Sequence, residues 1–222
     1  MTGGGALSRL QIHAPRTAPR VAAGDSLAVN GICLTVTGVR RDLILAEAAA
    51  ETRRVTTLLR WRPGDRLHLE PALRVGEALD GHLVLGHIDG VGRVVGNQRR
   101  GASLLLTVDC GSNLARWLMP KGSVAVDGVS LTVDAGPHVD RFTANIIPHT
   151  LRWTTLAEVR RGREVNLEMD VLVKAARTGR TAEAFSSLRT IGARHPATPD
   201  HSGSVPSLAS ILDRGFGRRR NP

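Results

Sequence analysis

The sequence predicts an all-β protein built from two similar domains in tandem. Residues 26–36 (SLAVNGICLTV) recur at 123–133 (SVAVDGVSLTV), with seven of eleven positions identical. Two further matches follow at an offset of 98 residues, 51–58 with 149–156 and 64–70 with 162–168. A self-match of this length indicates a duplicated domain. Short apolar stretches recur about every ten residues between Gly, Asn, Asp and Pro, which is typical of a β-sandwich or β-barrel.

The first half contains four predicted strand segments. They are Leu7–Ala14, Asp25–Val39, Asp42–Ala46 and Arg66–Glu70. Asn30-Gly31 divides the second segment into a hairpin, because this dipeptide accepts the positive φ of a tight turn. Thr52–Leu59 is predicted to contain a single helical turn.

The second half repeats this order and adds one strand. Its predicted elements are Val91–Val95, Ser103–Val108, a helical turn within Asn113–Met119, a hairpin turned by Asp127-Gly128, Asp140–Asn145 and Glu164–Met169. Val91–Val95 has no counterpart in the first half. The N-terminal barrel is therefore predicted to lack its first strand, which leaves an open sheet edge.

The repeats set the expected domain boundaries. We assign residues 1–80 to the N-terminal domain, 81–174 to the C-terminal domain and 175–222 to a tail. Ala175–Glu183 has helical propensity that Gly179 interrupts. Beyond Arg194 the Pro, Ser, Gly and Arg composition predicts a disordered basic tail.

The positive charge of the chain raises the question of nucleic acid. The net charge is +10, and half of it lies in the last 48 residues. The chain has 28 Arg, two Lys, three Phe, three Trp and no Tyr, so aromatic platforms for stacking on single strands are scarce. A solvated basic surface is favoured over a nucleic-acid site. A basic arm for an acidic partner is the alternative for the tail.

Neither export nor membrane insertion is predicted. The sequence has no apolar run of 18 residues, so we expect no transmembrane helix. Its N-terminus lacks the apolar region of a signal peptide. The two cysteines, Cys33 and Cys110, suit a reducing compartment and have no CxxC spacing. We expect a cytoplasmic protein in which a disulfide and a zinc site are disfavoured.

The repeated stretch carries candidate ligand contacts. Cys33 and Thr35 share one face of a strand, as do Ser130 and Thr132, because side chains two apart point the same way. Their thiol and hydroxyl groups suit hydrogen bonds to a polar heterocycle. Threonine is also simply common in strands, but matched pairs in both copies favour a ligand site that is used twice.

Gly81–Asp89 carries two histidines flanked by glycines. Glycine lets a ligand approach the backbone, and histidine is the usual acid or base near neutral pH. The five-residue spacing of His82 and His87 does not suit two metal ligands on one helix face, so no metal is predicted. Lys121 is one of only two lysines and directly precedes the second copy. An ordinary surface lysine and a specific role both stay open for it.

Together these motifs resemble the riboflavin synthase alpha chain. The shared pattern lies within Leu10–Lys174 and comprises N-G-x-C-L-T-V, G-H-L-V-x-G-H-I-D, K-G-x-x-x-x-D-G-x-S-L-T-V and I-I-P-H-T-L. The resemblance implies two six-stranded Greek-key β-barrels and a short C-terminal helix. It also implies a homotrimer, with each active site between the N-terminal barrel of one chain and the C-terminal barrel of a neighbour.

The implied activity is that of a transferase without a cofactor. Two molecules of 6,7-dimethyl-8-ribityllumazine dismutate, and one donates a four-carbon unit to the other. The products are riboflavin and 5-amino-6-ribitylamino-uracil.

The resemblance also assigns site residues. The first lumazine is expected against Cys33, Leu34, Thr35, Glu47, Ala48, Ala49, Ala50, Glu51 and Thr52. The second is expected against Gly86, His87, Ile88, Ser130, Leu131, Thr132, Asn145, Ile146, Ile147, Pro148, His149 and Thr150, with Lys121 reaching in from another chain. The predicted catalytic groups are His87, Cys33 and Ser130, together with Ser26 and Asp170 near the reacting centre.

The N-terminus departs from the family pattern. The family begins M-F-T-G-I and contributes a Phe near the reacting centre, whereas this chain begins MTGGGALSRL. Three alternatives to an active enzyme therefore stay open. They are a non-catalytic lumazine- or flavin-binding relative, an enzyme inactive through loss of that strand, and a basic nucleic-acid-binding β-barrel.

Overall fold

The computed structural model describes residues 8–134 and 139–178, whose eleven strands form two antiparallel sheets. The N-terminal sheet contains β1 (Ser8–His13), β2 (Ser26–Val29), β3 (Ile32–Arg40), β4 (Leu43–Ala48) and β5 (Leu69–Pro71). The C-terminal sheet contains β6 (Gly90–Arg100), β7 (Ser103–Asp109), β8 (Ser123–Val126), β9 (Val129–Thr132), β10 (Arg141–Ile146) and β11 (Glu164–Met169). The α-helices are α1 (Ala50–Val55), α2 (Gly111–Ala115), α3 (Pro148–Trp153) and α4 (Val171–Arg177), and 3-10 turns occupy Ala18–Arg20, Thr57–Arg60 and Thr155–Glu158.

The C-terminal sheet closes on itself. Its strand order is β10-β7-β6-β11-β8-β9, and a bridge between Val133 and Ala144 joins the end of β9 to β10. Phe142, Leu106 and Leu167 are fully buried inside. Full burial of such a side chain stabilises the fold by about 1.5–3 kcal/mol. The interior is therefore a packed core, and polar side chains point outward.

The N-terminal sheet has the same order with one strand fewer. Its order is β1-β4-β3-β2-β5, which matches β7-β10-β9-β8-β11 of the C-terminal half. Within residues 8–134 no N-terminal strand corresponds to β6, so β1 and β5 remain the two edges of this sheet. The predicted missing strand would precede β1, outside the described residues, so its absence stays a prediction. Leu27, Val36 and Ile44 lie in a separate buried core.

Most predicted elements are confirmed with small shifts at their ends, and three more notable differences in extent are as follows. The predicted strand Arg66–Glu70 is wrong over its first three residues, since β5 begins only at Leu69. β6 continues well beyond Val95, to Arg100. The C-terminal helix begins directly after Asp170, before the predicted start at Ala175. The predicted break at Gly179 and the tail beyond Arg194 lie outside the described residues. No helix in the described ranges is long and apolar enough to cross a membrane.

The two repeated hairpins meet turn to turn. All four turn residues have positive φ, 43° and 76° at Asn30-Gly31 and 47° and 79° at Asp127-Gly128, as a two-residue hairpin turn requires. A Cβ built on Gly31 would lie 2.6 Å from the Gly128 nitrogen, and one built on Gly128 would lie 2.7 Å from the Gly31 nitrogen. Only glycine fits at positions 31 and 128. These four turn residues belong to the seam, the contact surface between the two barrels.

Asn166 crosses the seam from the C-terminal barrel. Its Nδ2 donates to the Asn30 carbonyl at 2.9 Å, and its Oδ1 accepts the Thr57 amide hydrogen at 2.8 Å. Asn166 is completely buried. Buried backbone groups need such partners, so a side chain of one barrel satisfies the backbone of the other.

His68 makes the reciprocal crossing from the matching position of the N-terminal barrel. Its Nδ1–H donates to the Asp127 carbonyl at 2.8 Å, and its Nε2 accepts the Thr155 amide hydrogen at 2.9 Å. The imidazole thus copies the donor and the acceptor of an asparagine amide, which fixes its tautomer. Burial lowers the pKa of His68, and the charges of Arg163 and Arg66 lower it further, while the bond to the Asp127 carbonyl opposes them.

Candidate active site

The repeated stretch presents its polar side chains outward, as the strand alternation predicts. Ile32, Leu34 and Val36 of β3 are buried, whereas Cys33 is half-buried and Thr35 is exposed. Both cysteines of the chain are free thiols. Because the Leu34 side chain lies in the core, only its backbone is available to a ligand on the outer face.

A row of polar residues crosses the outer face of the N-terminal sheet. Ser26 of β2 pairs with Thr35 of β3, and Thr35 pairs with Glu47 of β4. Glu47 also forms an ion pair with Arg9 at 3.2 Å. The structure therefore brings three residues predicted for the first site, Cys33, Thr35 and Glu47, onto one face with Ser26, which was predicted as a catalytic group.

The remaining residues predicted for the first site lie at the end of β4 and directly after it. Ala48 is buried, and Ala49 is the residue before α1, which includes Ala50, Glu51 and Thr52. Glu51 pairs with Arg54 at 2.6 Å, and this bond lowers the pKa of the Glu51 carboxyl. The start of this short helix lies at the end of the sheet row.

The C-terminal barrel presents a matching face. Ser130 and Thr132 of β9 are exposed, and Asn145 of β10 is exposed beside them. Leu131 and Ile146 are buried, so any contact they make to a ligand on this face is through the backbone. Ile147, Pro148, His149 and Thr150 continue into α3, where His149 stands 6.4 Å from the Trp153 ring.

One linker, residues 81–88, contacts the matched position of both hairpins. The Gly86 carbonyl accepts the Cys33 amide hydrogen at 2.9 Å, and a Cβ at Gly86 would lie 2.6 Å from the Cys33 Cβ. A Cβ at Gly81 would lie 2.9 Å from the Ser130 hydroxyl oxygen. Both glycines have positive φ, 78° at Gly86 and 97° at Gly81. Glycine is therefore required at both contacts.

Glu168 of β11 anchors this linker from the outer face of the C-terminal barrel, opposite to the core residues Leu167 and Met169. Its carboxylate accepts the Leu85 amide hydrogen at 2.7 Å and the Gly86 amide hydrogen at 2.9 Å. Burial raises the pKa of the Glu168 carboxyl, and the two amide donors oppose the rise. Glu168 was not among the residues predicted from the sequence. An acid within the apolar strand V-N-L-E-M was the available signal, because a buried charge needs partners.

The two histidines of the linker differ in their surroundings. His82 Nδ1 lies 2.7 Å from the Ser130 hydroxyl oxygen, whereas His87, the predicted catalytic histidine, is exposed. Ile88 packs against the N-terminal core rather than the C-terminal one. The recurrence of Gly-His at 81–82 and 86–87 was a signal for a paired role of the histidines, but it did not show which histidine meets Ser130.

Asp170 and Lys121 have local partners. Asp170 caps α4 by accepting the Leu172 amide hydrogen at 2.9 Å. Lys121 is exposed, has a φ of 64° and pairs with Asp134 at 3.0 Å. The Lys121 ion pair is exposed and contributes at most about 1 kcal/mol, whereas the half-buried Asp170 is held as the N-cap of α4.

Two cavities lie along the seam, and neither is lined by Cys33 or Ser130. The larger, about 710 Å³, is lined by Arg60, Arg66, Arg93 and Arg163, and by Asp65, Asp127, Glu158 and Glu164 among others. These charges pair with one another, for example Arg66 with Glu158 at 2.7 Å and Arg93 with Glu164 at 3.0 Å. Within the described ranges no three His, Cys, Asp or Glu side chains could hold a metal ion. The matched outer faces, rather than the seam cavities, are the candidate site.

Comparisons with known proteins agree with the duplicated barrel. The family model of the lumazine binding domain matches residues 2–72 and 85–170. Riboflavin synthase of Mycobacterium tuberculosis is 39% identical over 170 residues, covering 75% of this chain and 85% of the relative. The enzyme of Brucella abortus is 36% identical over 172 residues, with the same coverage. That of Bacillus subtilis is 35% identical over 165 residues, covering 74% of this chain and 76% of the relative.

Solved structures share the fold at lower identity. LumP complexed with riboflavin aligns with a TM-score of 0.68 and 22% identity, covering 73% of this chain and 88% of LumP. LumP complexed with 6,7-dimethyl-8-(1'-D-ribityl) lumazine aligns with a TM-score of 0.64, 23% identity and the same coverage. Fold and site thus define a protein with two lumazine-binding domains in tandem. The matches over most of the chain narrow this class further: the chain belongs to the riboflavin synthase family.

Proposed function

We propose that this riboflavin synthase works on the matched outer faces of its two barrels. Two 6,7-dimethyl-8-ribityllumazine molecules would give riboflavin and 5-amino-6-ribitylamino-uracil by transfer of a four-carbon unit, without a cofactor. The observation that carries the proposal is the repeated contact of the linker, Gly86 with Cys33 and Gly81 with Ser130. Two similar walls suit two copies of one substrate.

The chemistry requires orientation above all. The C7 methyl of the lumazine is acidic, because its carbanion delocalises into the ring. A site must therefore hold two rings together, accept a proton and supply a nucleophile or water at C7. Orientation of two reactants alone contributes as much as about 7–11 kcal/mol to lowering a barrier. Duplication of a binding barrel supplies that orientation directly.

We assign residues to these tasks as follows. Cys33, Leu34, Thr35 and the segment 47–52 contact one lumazine. Residues 86–88, 130–132 and 145–150 contact the other. His87 and Ser130 act with Cys33 in proton transfer and addition at C7, and Ser26 and Asp170 support the reacting centre. His87→Ala is expected to lower the turnover number of riboflavin formation by about 10²-fold or more. An unchanged turnover number would remove His87 from the mechanism.

We further propose that each site forms between two chains of a homotrimer. The barrels of one chain pack through the seam, and Ser26, Thr35, Ser130 and Thr132 remain exposed. The outer face of a neighbouring chain would cover them, and Lys121 would reach in from that chain. Residues 1–80 and 81–174 would be the two Greek-key barrels, and the enzyme would work in the cytoplasm.

Mixing two inactive variants tests the shared site. Cys33→Ala damages the N-terminal face, and Ser130→Ala damages the C-terminal face. If sites form between chains, unfolding and refolding the two variants together is expected to restore riboflavin fluorescence, because some sites then combine two intact faces. Either variant refolded alone is the control. No recovery in the mixture, with a trimer present by light scattering, would contradict a site shared between chains. Lumazine binding by the unmodified chain without turnover would indicate a non-catalytic binder.

A further inference from the structure

The imidazole of His82 is held directly against Ser130. Its Nδ1 lies 2.7 Å from the Ser130 hydroxyl oxygen, well within hydrogen-bond distance. Gly81 brings the backbone against the same hydroxyl, since a Cβ there would stand 2.9 Å away. Across the hairpin Ser130 pairs with Ala125, whose side chain offers the hydroxyl no polar group. His82 is therefore the side chain placed to control the direction of this hydroxyl.

The surroundings of His82 select one tautomer. Its Nε2 is buried and has no hydrogen-bond partner among the described residues. A stranded N–H is rarer in proteins than a stranded lone pair, so the proton lies on Nδ1. Burial lowers the pKa of His82, while the Asp170 charge opposes this, so the ring is neutral near pH 7. Nδ1–H then donates to Ser130, and the Ser130 proton is left to point away from the ring.

We infer that His82 is a positioning residue that aims the Ser130 hydroxyl proton at an acceptor of the bound heterocycle, a carbonyl oxygen or ring nitrogen. The inference rests on the proposed function of the Ser130 face. Negative charge spreads onto these acceptors when the C7 methyl loses its proton, so a donor already aimed at them stabilises the transition state more than the ground state. His82 thereby acts on the turnover number through Ser130.

Among residues 8–80 as described, no imidazole forms a hydrogen bond to Cys33 in the way that His82 does to Ser130. At the matched position the linker contacts Cys33 through the Gly86 backbone carbonyl, not through an imidazole. The two matched outer faces therefore differ in the polar group that they present. The outer face at Ser130 presents a hydroxyl donor whose direction His82 sets, and the outer face at Cys33 presents a thiol. This difference favours acceptance of negative charge on the lumazine that lies against Ser130.

Variants of His82 in two backgrounds test this inference. Asparagine places its amide N–H near the position of Nδ1, whereas glutamine places it further along the side chain. With lumazine as substrate, His82→Gln is expected to lower the turnover number by on the order of tenfold, and His82→Asn is expected to stay within about twofold. In the Ser130→Ala background, His82→Gln is expected to cause no further loss. His13→Gln, which alters an exposed histidine on β1, is the matched control.

Three outcomes would overturn the inference. These are an equal loss with His82→Asn and His82→Gln, the same loss in the presence and absence of Ser130, or a rise in KM alone. Thermal melts and lumazine fluorescence titration of each variant exclude misfolding as the cause of a loss. If the unmodified chain forms no riboflavin, the proposed function fails. The titration still tests His82 then, because weaker lumazine binding by His82→Gln should disappear in the Ser130→Ala background.

Discussion

Replacing His68 by asparagine is expected to make the seam between the barrels less sensitive to acid. At the matching position Asn166 already makes the equivalent pair of bonds, to the Asn30 carbonyl and from the Thr57 amide. An asparagine at 68 therefore has a template for both of its bonds. Protonation of His68 removes the Nε2 acceptor and leaves the Thr155 amide hydrogen without its partner. An asparagine amide does not titrate.

The expected size follows from proton linkage. Burial holds the pKa of His68 below its ordinary value, so the unfolded chain takes up the proton more readily than the folded chain. Such a group contributes its full stability above about pH 6.5, the unfolded pKa, and loses it as the pH falls below that value. One proton changes the free energy of unfolding by at most about 1.4 kcal/mol per pH unit. The unmodified chain should lose up to that amount relative to His68→Asn between about pH 6.5 and 5.5.

Urea unfolding of both proteins between about pH 5.5 and 7.5 measures this difference. Asp127 also titrates at the seam, because burial raises the pKa of its carboxyl to about 6. Its effect has the opposite sign and is present in both proteins, so it cancels in the difference. Arg66 and Arg163, the other charges that act on His68, do not titrate in this range. Asn166→His, the mirror variant, should make the acid sensitivity steeper. Parallel pH curves for the unmodified chain and His68→Asn would refute the reasoning.

Three further outcomes are expected. Asp127→Asn copies Asn30 of the first hairpin. Because the pKa of Asp127 is raised to about 6, the unmodified chain loses stability as the pH rises from about 3.8 to about 6. In urea unfolding the variant should therefore be more stable than the unmodified chain above pH 6, by up to about 3 kcal/mol, and lose that gain below about pH 4. Gly128→Ala should cost about 2–4 kcal/mol, because its Cβ would meet the Gly31 backbone at positive φ, whereas Gly101→Ala, at a φ of 59° with open space around it, should cost about 1–2 kcal/mol; equal midpoints would contradict the packing argument. Glu168→Gln should loosen residues 81–88, because a glutamine amide accepts only one of the two backbone hydrogens. The free energy of unfolding should fall by about 1.5–3 kcal/mol, and hydrogen exchange at Leu85 and Gly86 should become faster. Unchanged exchange at these two amides would contradict the anchoring role.

The duplication and the hairpins could be predicted from sequence because their signals are local. Asn30-Gly31 and Asp127-Gly128 turn as their dipeptides predict, and the outward direction of Cys33, Thr35, Ser130 and Thr132 follows from strand alternation. Comparison of the two copies also predicts that the first half lacks its first strand, at a position that lies outside the described residues. The two copies can be compared strand by strand because both adopt the same fold.

The seam could not be predicted, because its partners are far apart in the chain. Asn166 and Thr57 are separated by 109 residues, and His68 and Thr155 by 87. The sequence predicts His68 within a strand. In the structure β5 begins only at Leu69, because the hydrogen bonds of His68 go across the seam. The contact of His82 with Ser130 likewise depends on how the linker runs between the barrels. The partners of Glu168, Leu85 and Gly86, are also more than 80 residues away in the chain, so its role could not be predicted either.

The reciprocal crossings at the seam have a consequence for the history of the chain. A contact in which residue i of one half meets residue j of the other, and j meets i, is the form of an isologous interface between two identical subunits. In a dimer of identical chains every substitution appears on both sides of the axis. Once the halves are joined covalently, each side can change alone. His68 opposite Asn166, and Asp127 opposite Asn30, are differences of this kind, and each places a titratable group on one side of the interface only.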